Sequence, residues 1–313
     1  MTPLTVLDEL GIQRITDKSS LDHDYLTKYE RLFTPYRDMP IVLLEIGVFD
    51  GGSLRLWEDY FPRATVVGLD IRVACKQHEG GRRIVEIASQ ADAKMMTAIS
   101  QKYRPAIVID DGSHQADHII ISFESIYPTL SDGGIYIVED LGMHTGPDAA
   151  VKRGSSAISP QAYFLRLANR VVCPGEDVDV DPRIFTATES VEFMQNLAVI
   201  RKRASRDPDA IAKRRAVIDK FDCHRTWGWF SRYIINHGGS KDEAVECARR
   251  AVSLAPLEVG HCAQLARALE AAGRLDEALE AAKEAQRRAP NIRGFADTVS
   301  RLARKVADQR QVL

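Results

Sequence analysis

Between Pro40 and about Lys202, short apolar runs alternate with stretches of helical periodicity. The runs cover residues 41–46, 64–69, 84–88, 106–109 and 134–138, and each is rich in Ile or Val. Continuous hydrophobicity over lengths of this kind predicts strands buried on both faces, and the helices between them supply the crossovers that parallel strands require. The pattern therefore predicts an α/β doubly wound, mostly parallel sheet. Residues 183–187 and 191–202 lie too close together for a crossover helix, so they are expected to form an antiparallel hairpin that ends the sheet.

After about Phe230 the strand-like runs stop, and Ala, Glu and Arg dominate. This part repeats itself. GGSKDEAVECARRAVSLAP and AAGRLDEALEAAKEAQRRAP align Gly239 with Gly273, Asp242 with Asp276, Ala244 with Ala278, Ala251 with Ala285 and Pro256 with Pro290, each offset by 34 residues. That period is the one found in tetratricopeptide repeats, and the segment resembles two such units, 225–258 and 259–292, with a capping helix from Arg293. The large aromatic usual early in the first helix is replaced by Gly228 and Cys262, with Trp227 and Trp229 flanking the first position. Two units bury little on their own. The module is expected to lean on the α/β domain or on a second subunit, which points to a homo-oligomer or to a protein partner held by the repeats. A plain amphipathic bundle without a partner is the alternative. The expected division is a helical lid at 1–40, a cofactor-binding domain at 41–204, a linker at 205–224 and an all-α helical-repeat domain at 225–313.

Composition narrows the class. The chain has 313 residues, 45% apolar and 27% charged, which excludes a wholly disordered or collagenous protein and leaves room for two cores. The net charge of −2 offers no general attraction for a phosphate backbone. One basic run, Arg201, Lys202, Arg203, Arg206, Lys213, Arg214 and Arg215, lacks the interleaved aromatics of a nucleic-acid surface and reads as a solvated face between domains. No nucleic-acid partner is expected. No apolar run approaches the roughly 20 residues of a membrane span, and MTPLTVLDEL is not a leader pattern, so no membrane partner and a cytoplasmic location are expected. The five cysteines, Cys75, Cys173, Cys223, Cys247 and Cys262, are odd in number and contain no C-x-x-C pair, so they read as reduced thiols.

Chemistry concentrates at the strand ends. The first strand runs into Glu45-Ile46-Gly47-Val48-Phe49-Asp50-Gly51-Gly52-Ser53. Glycines at a strand-to-helix turn let backbone approach a nucleotide-like cofactor in the crevice at the carboxyl ends of the strands. The second strand ends in Asp70, placed for a ribose diol in either a dinucleotide or an S-adenosylmethionine site. The spacing E-x-G-x-x-x-G-G-S departs from the dinucleotide pattern G-x-G-x-x-G. The fourth strand leads into Asp110-Asp111-Gly112-Ser113-His114 and the fifth into Glu139-Asp140. Neighbouring strands bring both ends to one edge, and four carboxylates in one crevice need a cation among them or protons on some of them. All-oxygen ligands favour Mg²⁺ or Mn²⁺, with Asp111, Glu139 and Asp140 as ligands and Asp110 facing the loop or capping the next helix. Zinc on His114 and His118 competes, but His118 falls in the apolar stripe with Ile119 and Phe123. His114 is the one nearby group whose ordinary pKa suits proton abstraction, although orienting a ligand or capping a helix is the other role open to it.

IDDGSH, with EDL beginning 25 residues after the histidine, is similar to the metal-dependent sugar O-methyltransferases of the macrocin and mycinamicin type, within the class I S-adenosylmethionine methyltransferases. The resemblance runs from about Ile15 to Lys202. Thr16-Asp17-Lys18 with His23, Tyr25 and Tyr29 resembles the lid motif, Glu45 to Trp57 the cofactor loop, and Ser89-Gln90-Ala91-Asp92 the adenine-side segment, with Ser89 where an acid is usual. It implies S-adenosylmethionine and Mg²⁺ (or Mn²⁺) as cofactors and a small glycosylated molecule as substrate, methylated on a sugar hydroxyl. It places Glu45, Gly47, Gly51, Ser53, Asp70, Gln90, Asp92 and Asp110 around the cofactor, Asp111, Glu139 and Asp140 on the metal, and His114 as base. Lys18, His23, Tyr25 and His144 are expected at the lid and substrate pocket, where LGMHTGPD departs from the family's aromatic-ended loop. A repeat-mediated adaptor with a cofactor-binding but non-catalytic methyltransferase-like domain is the alternative.

Overall fold

The computed structural model describes residues 4–146, 149–173, 179–205, 207 and 209–312. The chain divides into two compact units, Met1–Ser205 and Arg206–Leu313.

In the first unit, α1 (Val6–Gln13) and α2 (Leu26–Phe33) precede a sheet of seven strands. The sheet elements are β1 (Val42–Ile46), α3 (Gly52–Tyr60), β2 (Thr65–Asp70), β3 (Arg83–Ile87), α4 (Ala93–Tyr103), β4 (Ile107–Asp110), α5 (Ala116–Ile126) and β5 (Ile135–Val138). Then come α6 (Ala149–Lys152), α7 (Pro160–Val172), α8 (Pro182–Ala187), β6 (Thr188–Met194) and β7 (Leu197–Lys202). The order across the sheet is β3-β2-β1-β4-β5-β7-β6, with β7 alone reversed and so antiparallel to both of its neighbours, β5 and β6. The five Ile/Val runs are the five parallel strands, and their continuous hydrophobicity follows from cover on both faces. Leu43, Val66, Val85, Ile107 and Ile137 face Tyr29, Phe33, Leu54 and Trp57 of α2 and α3. Leu44, Val67, Val108, Tyr136 and Ile200 face Met96, Ile119, Phe123 and Phe164 of α4, α5 and α7.

The closing hairpin differs in register from expectation. Residues 183–187 are helical: Pro182 occupies the first turn, where its missing N–H costs nothing, and Asp181 caps it by accepting the Arg183 N–H at 2.7 Å. The antiparallel pair is formed within 188–202, turning at Asn196, whose φ is +64°.

The second unit is helical: α9 (Ala210–Ile218), α10 (His224–Asn236), α11 (Lys241–Leu254), α12 (Val259–Ala271), α13 (Leu275–Arg288) and α14 (Arg293–Val312). Its core packs Trp227, Phe230, Ile234, Leu269 and Leu302 with small alanines of α11 and α13. In the basic run, Arg201 and Lys202 close β7, and Lys213 and Arg215 on α9 pair with Asp207 at 2.8 Å and Asp219 at 2.9 Å. Arg206 lies outside the described residues. Among the described residues no helix is long and apolar enough to cross a membrane, and the five cysteines are free.

Candidate functional site

Parallel pairing carries the strand ends to one edge. Ile46 is opposite Asp110 and Asp110 opposite Val138, and the ladder continues one residue further. The Gly47 N–H donates to Leu69 at 2.8 Å, the Asp111 N–H to Ile46 at 3.0 Å and the Glu139 N–H to Asp110 at 3.0 Å. Gly47, Asp111 and Glu139 thus stand side by side. Gly47 has φ +98°, and a Cβ there would collide with the Asp111 carbonyl, so only glycine lets the loop lie against the acid cluster. Gly51, at φ +73°, ends the loop against the ring of His78 and starts α3.

A cavity of about 670 Å³ opens at this edge, bounded by Gly47, Asp70, Gln90, Asp111, His114 and Asp140 among others. Asp70 closes one wall. Its carboxylate accepts the Val48 N–H at 3.0 Å, the Phe49 N–H at 3.2 Å and the Arg72 N–H at 2.8 Å, so it shapes the glycine loop. Burial works to raise its pKa, but the bonds from Arg72 and Val48 outweigh it and hold the carboxyl below the ordinary range. Gln90 joins floor to rim: its amide donates to Asp110 at 2.6 Å and its oxygen accepts the Ser113 N–H at 3.1 Å. Asp110 lies beneath the cavity, bonded also to Ser122 and Tyr136. Glu45 is fully buried and accepts the Ser53 hydroxyl at 2.7 Å.

Asp111, His114 and Asp140 offer ligand atoms that all lie within 4.8 Å of one another. His114 Nε2 stands 3.8 Å from Asp111 Oδ1 and 3.9 Å from Asp140 Oδ2. Two of these residues hold non-glycine left-handed backbone, His114 at φ +54° and Asp140 at +56°, the kind of local strain that collects at functional sites. Asp140 is steadied through Oδ1, which accepts Tyr25 at 2.6 Å and Asn196 at 3.0 Å. Burial lowers the His114 pKa, outweighing the opposing fields of Asp111 and Asp140, so the imidazole is neutral near pH 7.

Glu139 is not one of this trio, and both of its oxygens are engaged by other side chains. Its Oε1 accepts the Tyr29 hydroxyl at 2.6 Å and its Oε2 accepts Lys18 Nζ at 2.7 Å. Lys18 also bonds Asp111 Oδ2 and lies 3.9 Å from Glu45. Burial disfavours its charge, but the fields of Asp111, Glu139 and Glu45 prevail and raise its pKa well above normal. Burial likewise pushes the Glu139 carboxyl up.

Several expected positions shift. Lys18, read as a lid residue, is the buried counter-ion of the acid cluster, and Tyr25 is a support for Asp140. Asp92 is exposed and caps α4, accepting the Lys94 N–H at 3.0 Å, and does not line the cavity. His118 is half-buried at the cavity wall, where its Nδ1 and the Ser113 hydroxyl are 2.8 Å apart, outside the apolar stripe. His144 is buried, its two ring nitrogens have no hydrogen-bond partner among the described residues, and burial lowers its pKa to about 4. His23 lines the cavity and a second cleft, of about 570 Å³, that shares Asp140 and Met143 and adds Lys152 and Asn196. Tyr29, read only as part of the lid motif, is the partner of Glu139, and Asn196 is a site residue that the sequence reading missed.

No family model matches the chain. It is 31% identical over 223 residues to 8-demethyl-8-alpha-L-rhamnosyl tetracenomycin-C 2'-O-methyltransferase of Streptomyces olivaceus, covering 66% of this chain and 57% of that protein. It is 40% identical over 144 residues to mycinamicin VI 2''-O-methyltransferase of Micromonospora griseorubida, covering 43% of this chain and 36% of that protein. The matches thus span less than two thirds of either curated relative. Among solved structures, the MycE methyltransferase from the mycinamycin biosynthetic pathway, in complex with Mg, SAH and mycinamycin VI, aligns with a TM-score of 0.57 and 27% identity over 64% of this chain and 55% of that one. The fold is that of a class I methyltransferase, a mostly parallel seven-stranded sheet with helices on both faces, followed by an all-α unit.

Proposed function

We propose that the protein is an S-adenosylmethionine- and Mg²⁺-dependent O-methyltransferase acting on a sugar hydroxyl of a glycosylated natural product. The observation that carries this is the junction at Asp140: the glycine-loop cavity and the second cleft both reach it, beside His114 and Asp111. Methyl donor and acceptor hydroxyl can meet there. The relatives named above support the substrate class.

The donor set fits a hard divalent ion. Asp111 Oδ1 and Asp140 Oδ2 accept no hydrogen bond among the described residues and face each other across His114. Asp111 and Asp140 would hold the ion, with Glu139 as the third acid of the set. When bound, the ion lowers the pKa of a coordinated hydroxyl and S-adenosylmethionine supplies an electrophilic methyl. His114, neutral and largely buried, would take the proton of the hydroxyl that receives the methyl group. Glu45, Gly47, Gly51, Ser53, Asp70 and Gln90 shape the cofactor wall. His23, Met143, Lys152 and Asn196 line the acceptor side.

The repeat reading of the second unit is part of the same proposal. α11 begins at Lys241 and α13 at Leu275, 34 residues later, and the matched alanines Ala244 and Ala278, Ala248 and Ala282, Ala251 and Ala285 are all buried.

The test is methyl transfer from labelled S-adenosylmethionine to 8-demethyl-8-alpha-L-rhamnosyl tetracenomycin C and to mycinamicin VI, the compounds named for the two relatives. Transfer that EDTA abolishes, Mg²⁺ restores and Asp111→Asn removes is the expected result. Cofactor binding with no transfer to any glycoside would overturn it in favour of the adaptor reading.

A further inference from the structure

Three acids at two strand tips repel one another, and the chain carries its own answer to that repulsion. Lys18 is only 2% exposed, and its ammonium bonds Asp111 Oδ2 and Glu139 Oε2, the latter at 2.7 Å, with Glu45 3.9 Å away. The contact is not that of a drifting surface lysine. The Lys18 carbonyl accepts the Tyr25 N–H at 2.9 Å and the Leu26 N–H at 3.1 Å, and the Asp17 carbonyl accepts the His23 N–H at 2.9 Å, so a wound loop delivers the side chain from 93 residues away in sequence.

The oxygens of Asp111, Glu139 and Asp140 can be accounted for one by one. Lys18 occupies one on Asp111 and one on Glu139. Tyr29 occupies the other on Glu139, and Tyr25 with Asn196 occupies one on Asp140. Among the described residues, Asp111 Oδ1 and Asp140 Oδ2 accept no hydrogen bond. A divalent ion held by Asp111 and Glu139 would share both carboxylates with the Lys18 ammonium, which it repels.

We propose that Lys18 is a resident cation of the metal site: it neutralises Asp111 and Glu139 while no divalent ion is bound, keeps the strand tips together, and competes with the ion when it arrives. The inference rests on the reading of Asp111, Glu139 and Asp140 as a metal site. Its consequence is a site preassembled without metal and tuned to weaker affinity than three free carboxylates would give, so that occupancy follows the divalent-ion concentration.

The experiment is Mn²⁺ titration of the full chain by calorimetry, and by the loss of the free-ion paramagnetic resonance signal, for wild type, Lys18→Met and Lys18→Arg. Removing one positive charge this close to a divalent ion is expected to tighten Mn²⁺ binding by about tenfold or more, while Lys18→Arg stays near wild type. Metal-free Lys18→Met is expected to melt below wild type, and saturating Mn²⁺ to raise its Tm by more than it raises that of wild type. In wild type labelled with ¹⁵N-lysine, the Lys18 Nζ resonance, assigned by its loss in Lys18→Arg, is expected to move on adding Mg²⁺; this arm needs no folded Lys18→Met. Equal or weaker Mn²⁺ binding by Lys18→Met, or a Lys18 resonance indifferent to Mg²⁺ that demonstrably binds, overturns the competition. Absence of Mn²⁺ binding in all three proteins instead overturns the metal-site reading itself.

Discussion

Glu45→Gln isolates the cost of burying a carboxylate beneath the cofactor loop. Glu45 sits in β1 with no exposure; Ser53 bonds its Oε2 at 2.7 Å, while its Oε1 lies 3.9 Å from Lys18 Nζ. Burial raises its pKa from 4.5 to about 7, even after the lowering by Lys18 and Ser53. Between those two values the folded state holds the proton more tightly than the unfolded chain does. Stability from this group is therefore complete below pH 4.5 and is lost as pH rises through 7. At about 1.4 kcal/mol per pH unit, the loss amounts to about 3 kcal/mol by pH 8. Glutamine keeps an acceptor for Ser53 and cannot ionise, so Glu45→Gln should gain about 3 kcal/mol on wild type between pH 4.5 and pH 8. Urea-dependent hydrogen exchange of peptides from β1 and β4 reports the first unit without mixing in the helical one. Parallel stability profiles for the two proteins across this range would refute the reasoning and assign Glu45 a stable charge.

Two further outcomes follow from the same geometry. His114→Ala should lower turnover by about 10²- to 10⁴-fold with S-adenosylmethionine affinity unchanged by calorimetry; because burial lowers the His114 pKa below 6.5, the wild-type rate should fall only as pH drops beneath that value, and this limb should vanish in the variant. Tyr29→Phe removes the 2.6 Å bond to Glu139 Oε1 and should cost about 1–3 kcal/mol in the same exchange assay, a loss that an unchanged profile would exclude.

How much could be read in advance depended on whether the information was local. Strands β1 to β5 were legible because each Ile/Val run is covered on both faces, a property written into consecutive residues. The meeting of Asp111 with Glu139 was legible too, since parallel neighbours place successive strand tips at one edge. The helix at Pro182–Ala187 was not, although Asp181-Pro182 is a helix-start signal, because the apolar Ile184 and Phe185 resemble a strand in so short a segment. Asp92 was read as a cofactor contact, whereas its position before a helix marks an ordinary cap. The need for positive charge among the acids was evident from their number. That Lys18 supplies part of it depends on a tertiary contact, which no spacing between residues 18 and 111 encodes.

The most direct test of the central claim is anomalous scattering from crystals soaked in Mn²⁺. A single strong peak bounded by Asp111 and Asp140, beside His114 and lost in Asp111→Asn crystals, is the predicted result. Crystals that diffract well after soaking yet show no peak at these strand tips, or show one only elsewhere, would contradict metal-assisted activation of the acceptor hydroxyl.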